Sequence, residues 1–70
     1  MFNFEKLEQR INEVFGSNEV FGKELGLSGE EITSRLGGDG EFTLSEIEKA
    51  AKLLKITPEE ISSYFFEIKK

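Results

Sequence analysis

The sequence predicts an all-α domain of five short helices. Three observations carry this reading. Apolar residues recur at three- and four-residue steps, capping residues precede each such run, and glycines interrupt the pattern where helices have to stop. Phe4, Leu7, Ile11 and Val14 are expected on one face of a first helix over about residues 3–15. Asn3 caps its start and Gly16 takes the left-handed position past its end. Ser17 opens a second helix running to about residue 25, with Phe21 and Leu25 inward, and Gly26 stops it.

Ser28 followed by Glu31 is a capping box for a third helix over about 28–36, with Ile32 and Leu36 as its buried pair. Gly37, Gly38 and Gly40 around Asp39 then form a loop, because glycine loses most on being held in a helix. Thr43 with Glu46 is a second capping box, opening a helix over about 43–54 whose apolar stripe is Leu44, Ile47, Ala51 and Leu54. Thr57-Pro58-Glu59-Glu60 supplies a cap, a proline at the first helical position and a third box for a helix over about 57–64. Ile61 and Tyr64 face inward from it. Tyr64–Ile68 is the one stretch with a weak strand pattern.

Composition bounds what such a domain does. Of 70 residues 26 are apolar, enough for one core, so residues 1–70 are read as a single domain. A net charge of −5 excludes a generally basic nucleic-acid clamp but leaves room for a local basic face. Cys and His are both absent, which removes disulfides, thiolate and imidazole metal sites, and Ser-His-Asp catalysis. No other nucleophile, base or phosphate loop is assembled, so neither an enzyme nor a cofactor is expected. Apolar runs of at most three residues point to no membrane span and no signal peptide, hence a cytoplasmic protein.

Several local patterns have bland explanations. Asp39 to Glu46 resembles the latter part of a calcium loop, but Arg35 falls at the first ligand position and defeats it. Glu30/Glu31 and Glu59/Glu60 stand in first helical turns, where carboxylates favour the helix dipole. Lys49, Lys52 and Lys55, like Lys6 and Arg10, form either a patch for a partner or a DNA backbone or, the favoured reading, a solvated helix face. Phe65 and Phe66 cannot both enter so small a core. One of them covers a partner subunit in a homodimer, or folds back near Phe2 and Phe4.

Residues 17–36 combine two short helices with the tight link Gly26-Leu27-Ser28 and a small residue, Gly22, where the helices cross. This is what a helix-turn-helix needs: a sharp angle, close approach and a buried apolar underside. At this point the chain resembles the phage Cro/repressor-type helix-turn-helix family, with its lambda repressor-like domain. The resemblance is carried by Phe4-Glu5-Lys6-Leu7, Phe15-Gly16-Ser17, Leu25-Gly26-Leu27-Ser28, Phe42-Thr43 and Ser45-Glu46-Ile47. It continues through Ile56-Thr57-Pro58-Glu59-Glu60-Ile61 to Tyr64-Phe65-Phe66.

The resemblance implies a regulator of transcription, dimeric on double-stranded operator DNA, with its third helix in the major groove. Ser17, Asn18, Lys23 and Arg35 match positions beside phosphates, and Gly29, Glu30, Thr33 and Ser34 match positions that read base edges. The loop 37–41 matches the segment that follows the backbone. One departure stands out. The segment 28–42 carries Glu30, Glu31, Asp39 and Glu41 against Arg35 alone, the most acidic stretch of the chain. Phosphate neutralisation supplies most non-specific DNA affinity, so these carboxylates oppose it. The sequence therefore supports an alternative: the same fold with DNA binding weakened or lost, serving as a protein-interaction module or redesigned scaffold.

Overall fold

A computed structural model describes residues 3–67. They form α1 (Glu5–Phe15), α2 (Asn18–Leu25), α3 (Gly29–Leu36), α4 (Leu44–Leu54) and α5 (Ile61–Phe65), the last entered through a 3₁₀ turn at Pro58–Glu60. No strand occurs among the described residues, and Tyr64 and Phe65 belong to α5.

Local chemistry sets the ends. The Asn3 side-chain oxygen accepts from the Glu5 N–H at 2.9 Å, so Asn3 caps α1 from one residue outside the cap position, which Phe4 holds. Ser17 accepts from the Val20 N–H at 3.3 Å. Ser28 accepts from the Glu31 N–H at 3.1 Å while Glu31 accepts from the Ser28 N–H at 3.0 Å, a reciprocal box. Thr43 and Glu46 repeat it at 3.2 and 2.9 Å. At Thr57 half of the box is kept: the Glu60 carboxylate accepts from the Thr57 N–H at 3.4 Å and from its hydroxyl at 3.1 Å, while the Glu60 N–H donates to the Thr57 carbonyl, which tightens this turn into 3₁₀ geometry.

The core is shared by all five helices. Leu7 and Ile11 of α1, Phe21 and Leu25 of α2, Ile32 of α3 and Ile47, Ala50, Ala51 and Leu54 of α4 are buried together. Ile56 and Phe65 close the floor. Phe42, half-buried in the α3–α4 loop, meets Phe4 edge-on at 5.6 Å and Phe65 edge-on at 5.4 Å, a ladder that binds the loop to both chain ends. The Asn3 N–H donates to the Glu67 carbonyl at 2.6 Å beside it.

Two expected core positions face outward instead. Val14 is 43 % exposed, because α1 delivers Phe15 rather than Val14 to the core, its ring 5.7 Å from Phe21. Leu44 is 73 % exposed: it occupies the first position of α4, ahead of the turn where the helix meets the core at Ile47. Phe65 is in the core at 2 % exposure, whereas Phe66 is 48 % exposed. Phe2, the other end of the proposed fold-back, lies outside the described residues.

Candidate functional site

The α2–α3 corner is held as a tight crossing. Gly26 takes φ = 89°, a left-handed conformation that favours glycine, and the Leu27 N–H donates back to the Gly22 carbonyl at 2.7 Å. A Cβ built on Gly22 would stand 2.8 Å from Ile32 Cγ2 and 2.9 Å from Ile32 Cβ, so only glycine admits this approach. Ile32 therefore points into the core from one side of α3. The opposite side is turned out.

On that outer side Gly29, Glu30 and Thr33 are exposed and Ser34 is half-buried. The four line one shallow groove with Glu19 of α2 and with Gly37 and Asp39 of the following loop. The loop is pinned there by its backbone: the Gly37 N–H donates to the Thr33 carbonyl and the Asp39 N–H to the Ser34 carbonyl, both at 2.9 Å. The residues expected to read bases thus come together, and three carboxylates, Glu19, Glu30 and Asp39, stand among them with no cation in the lining. Glu19 had no local signal in the sequence, since its place depends on the angle between α2 and α3.

The residues expected beside phosphates are scattered by comparison. Lys23 is exposed on α2. Ser17 is engaged as the α2 cap. The Asn18 amide donates to Glu8 Oε1 at 3.3 Å, a tie from α2 to α1, and its Oδ1 is buried without a hydrogen-bond partner.

Arg35 is turned into the protein. Its Nε donates to the Glu41 carbonyl at 2.8 Å, and Nη2 lies 3.5 Å from Glu46 Oε2. The Arg35 side chain is only 19 % exposed, and its Nη1 is buried without a hydrogen-bond partner. The one cation of segment 28–42 thus neutralises Glu46 rather than the groove.

Glu31, next to the groove, is occupied by the capping box. The Ser28 N–H and hydroxyl hold its carboxyl below the ordinary value, with a smaller pull from Arg35 against slight desolvation. Among the described residues, no group of three His, Cys, Asp or Glu is placed to hold a metal ion, and no helix is long and apolar enough to cross a membrane.

Comparison with solved structures places this fold beside a phage regulator. The solution structure of the modulator of repression of the temperate bacteriophage TP901-1 from Lactococcus lactis superposes with a TM-score of 0.82. It is 27 % identical, over 97 % of this chain and 95 % of that one. Among curated proteins none matches the chain. The all-helical fold is therefore one shared with a small phage regulatory protein. A family model matches residues 1–68, and the chain belongs to that family, described as proteins of unknown function (DUF739).

Proposed function

We propose that this chain is a phage-type regulator that uses its helix-turn-helix corner to bind a cationic protein surface, such as the DNA-reading face of a repressor. The observation that carries this is the α3 groove. Glu19, Glu30 and Asp39 line it with no cation among them, while Arg35, the one cation of segment 28–42, is spent on Glu46 and a loop carbonyl. A surface of that sign repels phosphates and attracts the basic residues that would otherwise meet them. The likeness to a protein described as a modulator of repression supports a partner that is itself a repressor. A regulator of this kind works in the cytoplasm of the bacterial cell.

The test is a pair of titrations at low salt, following the amide signals of residues 17–41. One uses a purified basic helix-turn-helix repressor domain, the other mixed-sequence duplex DNA. Shifts along α3 with the repressor domain and none with DNA are expected. Shifts with DNA alone, fading steeply as salt rises, would overturn the proposal.

A second reading is operator binding by a Cro/repressor-type domain. It is favoured by the outward face of α3, where Gly29, Glu30 and Thr33 are all exposed. In this reading those residues and Ser34 meet bases, Glu30 accepting from cytosine N4, while Ser17, Asn18, Lys23 and Arg35 approach phosphates. Arg35 would first have to leave Glu46. Glu30→Gln with Asp39→Lys should then strengthen non-specific DNA binding, and unchanged affinity would exclude this surface. The accompanying homodimer rests on Phe66, since Phe65 is internal. It requires Phe66→Ala to lower the sedimentation mass, and identical masses would remove Phe66 from any interface.

A further inference from the structure

We infer that the partner-binding surface does not end with α3: it crosses the 37–42 loop to the first turn of α4, where Leu44 is its apolar anchor. Arg35 is the positioning residue that joins the two parts. This inference rests on the protein-binding reading of the α3 groove.

An exposed leucine alone says little, because much of any folded surface is apolar. The position of Leu44 says more. At 73 % exposure it is the most exposed large apolar side chain among the described residues. It adds nothing to the start of α4, which Thr43 and Glu46 already cap reciprocally. It closely follows a loop in which Asp39 lines the groove and the exposed Glu41 lies between the groove and Leu44 along the chain.

Arg35 makes these parts one surface. Its guanidinium reaches from the last turn of α3 to the Glu41 carbonyl and to Glu46 in the first turn of α4. A Cβ on Gly40 would touch its side chain at 3.9 Å, so the loop lies directly on the arginine stem. Leaving one buried N–H donor unsatisfied is costly, and what the arrangement secures is a fixed loop rather than a cation at the surface. The exposed Leu44 has the exposed Glu41 before it in the loop and the exposed Glu48 one turn on along the same helix, an apolar side chain with acidic neighbours. It fits a protein surface on which basic residues surround one apolar side chain, since interfaces combine a dry apolar centre with a polar rim. A phosphate backbone matches neither part.

The experiment titrates the full chain and its variants with the same basic repressor domain, measuring affinity across a salt series. Leu44→Gln should weaken binding about tenfold, with an unchanged thermal midpoint and an unchanged salt slope, while Leu44→Met keeps affinity. Arg35→Gln should release hydrogen-exchange protection at the Asp39 amide and weaken binding. In that background Asp39→Asn should add nothing, because a loose loop no longer presents the carboxylate. If Leu44→Gln binds like the parent while Glu30→Gln weakens binding, the extended surface is wrong and the groove reading stands. Full additivity of Arg35→Gln and Asp39→Asn would overturn the positioning role. If the parent forms no complex, both readings fall.

Discussion

Gly22→Ala gives the sharpest test of the corner, because two effects of opposite sign compete at one atom. In an open helix, alanine in place of glycine stabilises by about 1 kcal/mol through propensity and unfolded-state entropy. Here the added methyl would lie 2.8 Å from Ile32 Cγ2 and 2.9 Å from its Cβ, inside any permitted carbon–carbon contact. Both atoms sit at the root of a β-branched side chain, so no rotamer change removes them together. Relief requires α2 and α3 to move apart, and overpacking of this kind costs about 1–3 kcal/mol. With two contacts under 3.0 Å at the root of Ile32 the cost lies in the upper part of that range, about 2–3 kcal/mol, so a net loss of about 1–2 kcal/mol remains, or roughly 5–15 °C in thermal midpoint for a domain this small. Gly29→Ala is the matched control: its Cβ meets nothing within 4 Å and its backbone is helical, so it should be neutral or mildly stabilising. Urea denaturation of the parent and both variants, with amide spectra for α2 and α3, decides the matter. A Gly22→Ala protein as stable as its parent would refute the close crossing on which the outward placement of α3 depends.

Two further predictions address the ends of helices. Lys55 ends α4 at φ = 56°, the single non-glycine residue of positive φ among those described, so Lys55→Gly should stabilise by about 0.5 kcal/mol in urea denaturation. A loss would mean that its charge at the helix C-terminus outweighs the backbone cost. The Glu31 carboxyl is held below its ordinary value by Ser28, so its folded-state pKa lies under the unfolded one. Its contribution is therefore complete above the unfolded pKa and is lost as pH falls through the lowered value. A carboxyl NMR titration should show Ser28→Ala moving the Glu31 midpoint upward, part of the way because the backbone N–H remains. No movement would remove the capping box as the cause.

The helices were legible in the sequence because their signals are local. Ser28 and Glu31, or Thr43 and Glu46, lie within one turn of each other, and the hydrogen bonds they make need no distant partner. Gly22 was legible for a related reason: a residue without a side chain between two apolar faces implies contact there. What failed depended on where helices end relative to the core. The apolar spacing of Val14 and Leu44 continues the stripe, but α1 reaches the core with Phe15 and α4 only from Ile47. Phe42 reads as a loop residue until Phe4 and Phe65, far apart in sequence, close on it from both sides. The partners of Arg35 had no local signal either: the family resemblance implies a place beside a phosphate, and only the fold brings Glu46 and the Glu41 carbonyl to it.

The placement of Arg35 bears on what the fold can say about function. The corner demands an inward face: Phe21, Gly22, Leu25 and Ile32 must meet, and these residues would support any outward face at all. The likeness to a phage modulator of repression, at a TM-score of 0.82, is therefore first of all a likeness of fold. Which partner that helix meets is set by the other side of the same turns, where Glu30, Thr33 and Ser34 carry no constraint from packing against Ile32. With Arg35 held by Glu46 and the Glu41 carbonyl, the groove lining has no cation, while the core beneath is made by other residues. Under the proposed reading, charge sign at α3 and its loop, rather than the geometry of the α2–α3 corner, is the variable that would separate a DNA reader from a protein that binds one.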